Sequence, residues 1–368
     1  MKKIQTSILF FMLTAFIFSA CLDEITLENS IDLEDNIAIQ GSLIKGSPSI
    51  VNVFVSRLSN LTGVNLPVAI LDADVSILDE NGTELLLDNI NSGFYELEIP
   101  ENDPNFIVDI NRKFQLKVKA DGNEYLSNME ILLPIPEITS LGFNVTAREV
   151  INEVTGIGET RDFIEFNVNT PLVISGVSTK SQMIWELEGT YQLTDSPLES
   201  CNPIFPVVDP KTCYVTEKIN LDKKVLFDGT TASTNDLTGF PVFESRINFR
   251  FSEGYYMTFL QQSLTSGAHK YWKTTNDMLQ RTGSIFEAPA GKIESNFTNA
   301  SNPDELVFGY FYATQQDTAR IYIDPSFVDF PATNCPIPFD PLGPVTQCCD
   351  CLDTVSYTHL TLPTTPYV

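Results

Sequence analysis

Any chemistry in this chain must come from seven cysteines, two histidines and a large stock of carboxylates. Cys201 and Cys213 bracket the loop NPIFPVVDPKT between two β-rich stretches, and Cys335, Cys348, Cys349 and Cys351 cluster in a Pro-rich segment ending QCCDCLD. With Cys21 set apart, the other six form an even set, as disulfides require. A bridge from Cys201 to Cys213 would contribute about 3 kcal/mol by restricting the unfolded chain. The four distal thiols could also surround zinc, but C-C-x-C is not the C-x-x-C knuckle such sites use. Disulfides are therefore expected, with pairing open among the distal four, and neither a metal nor another cofactor is expected.

Catalytic signatures are otherwise missing. His269 stands beside Lys270 in a helical pattern, away from any G-x-S-x-G or reactive-cysteine context, and is expected to be a surface residue. There is no H-E-x-x-H, no P-loop and no G-x-G-x-x-G after a strand. Asp72 and Asp74 flank a strand start, and Asp79 and Glu80 begin the next turn. Loop oxygens of this kind can bind calcium, but the spacing is not that of an EF-hand, and Asp-Glu-Asn-Gly already reads as a hairpin turn. Trp185, Trp272 and the pair Tyr255 and Tyr256 could stack on a sugar or peptide, although core packing accounts better for both tryptophans. No catalytic residue is assigned. Paired glycosidase acids are defined by a separation of about 5 to 10 Å in space, which leaves a hydrolase acting on a surface glycan or peptide as the alternative reading.

The beginning of the chain says more. In MKKIQTSILFFMLTAFIFSACLDE two lysines lead into an apolar run, and Ser19 and Ala20 stand directly before Cys21. The run is too short to cross a bilayer, which takes about 20 residues, and has the layout of a secretory signal. It resembles a bacterial lipoprotein signal, which implies cleavage after residue 20 and diacylglyceryl transfer to the Cys21 thiol. Acyl chains contribute about 0.8 kcal/mol per buried methylene, so the mature chain would stay on the membrane. Asp23 and Glu24 resemble the surface-export signal of Bacteroidota lipoproteins. A formal charge of −26 argues against nucleic acid as a partner.

The elements that would carry these residues are mostly strands. Residues 21–36 are acidic and aperiodic, suited to a tether. From 37 to 131, IAIQGSLIK, SIVNVFVSR, ADVSILD, GFYELEI and FQLKVKA alternate apolar with polar positions between turn signals, which predicts a β-sandwich of immunoglobulin-like or transthyretin-like type. Residues 132–140, with Pro134 and Pro136, read as a linker. A β-rich domain over 141–330 follows, with one helix or helical pair near 254–282, where Tyr256, Phe259, Leu260, Leu264, Ala268, Tyr271 and Trp272 recur at spacings of three and four. Ser252 is its expected cap, and Gly267 is expected to kink or break it. The Cys- and Pro-rich tail spans 331–353. The uncharged end, TVSYTHLTLPTTPYV over 354–368, resembles translated sequencing adapter and is set aside as foreign, His359 with it.

Taken in order, the lipoprotein-like start, GSLIKGSPSIVNVFVSR, the ADVSILDENGTELLL and GFYELEI hairpin, YYMTFLQQSL, IFEAPAGKIESNFTNASNPDELVFGYFYAT and the cysteine-rich end resemble the domain of unknown function 4249 family over residues 21 to 353. The resemblance implies an outer-membrane lipoprotein of Bacteroidota. It also implies an accessory role beside a TonB-dependent uptake receptor and no transferable catalytic residues.

Overall fold

A computed structural model of the chain describes residues 36–58, 67–152, 154–194, 212–221, 223–280 and 293–328, together with the backbone of 358–359. The fold is mainly β. In the first part of the chain lie β1 (Ile37–Lys45), β2 (Ser49–Arg57), β3 (Val68–Ala69), β4 (Asp74–Asp79), β5 (Glu84–Leu86), β6 (Asp88–Asn91), β7 (Phe94–Ile99), β8 (Lys113–Ala120), β9 (Asn123–Ser127) and β10 (Glu130–Ile131). The second part holds β11 (Ser140–Ile151), β12 (Gly158–Pro171), β13 (Gln182–Thr194), β14 (Thr212–Lys218), β15 (Val225–Asp228), β16 (Asp236–Arg246), β17 (Tyr255–Leu264), helix α1 (Ser266–Leu279), β18 (Phe297–Asn299), β19 (Phe311–Ile323) and β20 (Thr358–His359).

One long sheet runs through the molecule in the order β20-β14-β13-β17-β19-β1-β2-β7-β6, with β15 joined to β13 and β3 to β2. The half that carries β1, β2 and β7 is covered by β18-β9-β8-β4-β5, with β10 on β8, and the half that carries β13 and β17 by the three-stranded sheet β11-β12-β16. The alternation in β2 buries Val51, Val53 and Val55 in the first core beside Ile39, Leu43, Phe114 and Leu116. The predicted turns form as their chemistry requires. Gly82, Asn91, Ser92 and Gly93 all take positive φ.

The expected first domain is not closed by residues 37–131 alone. Strand β1 runs parallel to β19, with Gly41 opposite Phe311 and Lys45 opposite Gln315, while β17 pairs with β19 from Gln316 to Ile323. One strand thus belongs to both cores. Phe297, Val307, Phe311 and Ala313 pack into the first core, and β18 pairs with β9. Nor does the 132–140 connection hang free. Leu132, Ile135 and Ile138 are buried. The Ile135 and Ile138 amides donate to the Gln315 and Asp317 side chains at 3.0 and 2.7 Å, and the Leu133 and Pro136 carbonyls accept from Ser263 and Gln261, each at 2.7 Å. Prolines cannot donate, and these four polar groups of the strap are taken up by side chains of β17 and β19.

The expected helix near 254–282 is half strand. Tyr255–Leu264 is β17, and the helix begins only at Ser266. Both faces of β17 are covered: Tyr255, Met257 and Phe259 lie in the second core, while Leu264 packs against the helix. A strand buried on both sides loses its two-residue alternation, and the surviving apolar positions fell on a helical spacing. The cap is Thr265, whose hydroxyl accepts from the Ala268 amide at 3.2 Å, and not Ser252. Gly267 falls in the helix's first turn, where a Cβ would lie 2.4 Å from the Tyr310 hydroxyl. The expected break falls immediately before it, at Thr265.

The turn of the β11–β12 hairpin is exposed. Ile151, Val154 and Ile157 at its turn are 74%, 94% and 68% exposed. Its stem carries the ion pairs Arg148 with Glu244, and Arg161 and Arg246 with Glu159. Among the described residues no helix is long and apolar enough to cross a membrane.

Candidate functional site

Helix α1 lies against the sheet through Ala268 and Trp272, which pack with Ile184, Leu264, Tyr310 and Tyr312. Asn276 clamps it further along. Its side chain accepts from the Lys224 amide at 2.9 Å and donates to the Lys224 carbonyl at 2.7 Å, so the residue entering β15 is held to the helix by two bonds. Between α1, β15 and β16 a cleft of about 440 Å³ remains, within the size range of small-molecule sites.

Its apolar lining is made by Val225, Leu226, Phe240, Pro241 and Val242. Phe240 is fixed in turn by Trp185 and Phe227, each with ring centroids 5.3 Å away. Its polar lining includes Lys223, Lys224, His269 and Lys273, together with Asp228 and Asp277. Lys224 is committed: its ammonium lies 3.1 Å from Glu186 and over the Trp272 ring at 5.4 Å. Lys223 and Lys273 make no ion pair among the described residues. Asp228 faces its own turn, accepting from the Thr230 amide at 3.0 Å and hydroxyl at 2.6 Å, contacts that hold its carboxyl below the usual value against the opposing effect of burial.

His269 is 7% exposed, which corrects the expectation of a surface residue. It follows Ala268 on the packed face of the helix. Burial holds its imidazole below the ordinary value, Asp228 pulls the other way, and Lys273 adds to the lowering. The imidazole can donate or accept a hydrogen bond in the cleft it lines. No hydrogen bond joins it to a described hydroxyl, thiol or carboxylate. The chemistry available here is capture by charge and apolar contact.

The other expected residues are placed as follows. Cys213 is fully buried on β14. Its expected partner Cys201 lies outside the described residues, as do Cys21, Asp23, Glu24, Cys335, Cys348, Cys349 and Cys351. Asp79 and Glu80 are held by Arg112, each at 3.1 Å, and Asp79 also accepts from the Asn81 and Thr83 amides, which makes this a braced hairpin turn. Asp72 and Asp74 face a cleft with Asp121 and Glu124, but Arg57 pairs with Asp121, and Lys119 lies 3.7 Å from Glu124. Among the described residues no three His, Cys, Asp or Glu side chains are placed to hold a metal ion. Trp185 is wholly buried and donates to Gln261 at 3.0 Å. Tyr255 stacks on Phe251 at 4.3 Å, and Tyr256 leans on Tyr322 at 4.7 Å. None of these rings forms an open stacking platform.

Sequence reasoning missed the lysines of the cleft. Lys223 and Lys273 lie 50 positions apart and share no motif, and only the packing of α1 onto β15 brings them together. The weak signal was their setting, a dibasic Lys223-Lys224 in a chain with 48 acidic and 22 basic side chains.

A family model matches residues 24–320: Domain of unknown function (DUF4249). No curated protein and no solved structure matches the chain.

Proposed function

Because the chain belongs to the DUF4249 family, we propose that it is an outer-membrane surface lipoprotein, anchored through Cys21, that serves as a non-enzymatic binding or accessory component of a TonB-dependent uptake system. The observation that carries the binding role is the open cleft along α1, lined by apolar side chains and by Lys223 and Lys273, which make no ion pair among the described residues. Asp23 and Glu24, two and three positions after Cys21, favour the outer face, and the acidic stretch 21–36 supplies the tether. Export favours a Cys201 to Cys213 disulfide, in keeping with a Cys213 side chain closed off from solvent.

Two measurements test this reading. Cys21→Ala should leave the outer-membrane fraction and lose the mass of the lipid. A variant that still partitioned with that fraction at the mass of the native protein would remove the anchor from the reading. Surface crosslinking of the native chain should then recover a TonB-dependent receptor, and consistent absence of any membrane partner would defeat the accessory role. Alkylation under denaturing, non-reducing conditions should leave Cys201 and Cys213 unlabelled. Stoichiometric labelling of both would end the disulfide assignment.

A further inference from the structure

We propose that the cleft between α1, β15 and β16 binds a monoanionic organic ligand, a carboxylate on an apolar or ring-shaped body, with the carboxylate between Lys223 and Lys273 and the body against Phe240, Pro241 and Val242. Lys223, Lys224 and Lys273 line the cleft together with Asp228 and Asp277. Lys224 is spent on Glu186 and Trp272, and Asp228 on Thr230, which leaves Lys223 and Lys273 as the cations available to a ligand. Asp277, on the helix turn after Lys273, and Asp228 would oppose a second negative charge, so a monocarboxylate fits better than a phosphate dianion.

The walls are already set. Asn276 pins the Lys224 backbone to the helix, and Trp185 and Phe227 fix Phe240, so little ordering entropy is lost on binding. His269 lies in the same cleft, and its imidazole can donate to the second carboxylate oxygen without carrying charge. The inference rests on reading the chain as a binding component. Its failure would be separable from failure of that reading, because the Cys21 and crosslinking experiments report location and partner, not ligand.

The chain has two histidines, so a His359→Gln background leaves His269 as the one imidazole signal in a proton NMR spectrum. Phenylacetate, acetate and inorganic phosphate are the probes. Phenylacetate should shift that signal saturably and at lower concentration than acetate or phosphate. A Lys223→Ala/Lys273→Ala double variant should weaken it by about tenfold or more. Lys113→Ala, on the distant strand β8, should leave it unchanged. A signal that stays flat with phenylacetate, or the same affinity in wild type and double variant, would overturn the site. Acetate or phosphate matching phenylacetate would overturn the role given to the apolar wall.

Discussion

Gly309→Ala should unfold the protein or cost it more than about 4 kcal/mol, a loss comparable with the whole stability of a typical domain. Gly309 has φ +97, and a Cβ there would lie 1.9 Å from the Ile39 carbonyl oxygen and 2.5 Å from its carbon. Both atoms are backbone, so no rotamer change relieves the contact. The surrounding bonds are those that join the two halves: Ile39 donates to Phe308 at 2.9 Å, Gly41 to Tyr310 at 3.0 Å, and Phe308 back to Ile37 at 3.0 Å. Relief would require β1 to move away from β19, and with it the strand that both cores share. Gly82→Ala provides the comparison. Its φ is +84, but nothing lies within 4 Å of the added carbon, so only the backbone cost of about 1 to 2 kcal/mol should appear. Urea denaturation of the three proteins would report both losses. Equal midpoints for Gly309→Ala and Gly82→Ala would mean that β1 and β19 do not meet in this register.

Replacing Glu130 should also destabilise the protein, though less than Gly309→Ala, and its effect should depend on pH. This carboxylate is 6% exposed, with no cation in ion-pair range among the described residues, and accepts from Thr265 and Tyr310 at 2.8 Å each and from Asn296 at 3.4 Å. It ties β10 to the cap of α1 and to the segments that flank β18 and β19. Glu130→Leu would leave the buried Tyr310 hydroxyl without its acceptor and should cost about 2 to 3 kcal/mol. Glu130→Gln keeps an acceptor for Tyr310 and should cost less. Burial raises the Glu130 carboxyl above its ordinary 4.5, against the lowering effect of the three donors. A raised folded value means that the stabilisation is complete below the unfolded value and is lost as pH rises through the folded one. The margin of wild type over Glu130→Gln should therefore be widest at acid pH and shrink upward from 4.5. A margin that grew with pH would contradict the burial of an unpaired carboxyl.

Much of the first core could be read from residue types. Val51, Val53 and Val55 alternate, and Asp-Glu-Asn-Gly and Asn-Ser-Gly turn where positive φ is needed, because strand faces and tight turns are set by neighbours a few positions apart. The strand Tyr255–Leu264 could not be read this way, since its second face is covered by residues distant in sequence. His269 was misjudged for the same reason. Whether a helical position faces solvent depends on what the helix packs against. The two-domain division reads well as far as the prolines of 132–140, but those prolines lie on a strap bound to Ser263, Gln315 and Asp317.

The sequence by itself determined the mainly β character, the turns, the acidic surface, the family and the expectation of a lipid at Cys21. Each of these rests on composition or on residues close together in the chain. Only the tertiary structure decided that β19 joins both cores, that Glu130 is a buried acceptor at their junction, and that Lys223 and Lys273 share a cleft. Those are meetings of residues 50 to 270 positions apart, and no local pattern encodes which distant surface will cover which face.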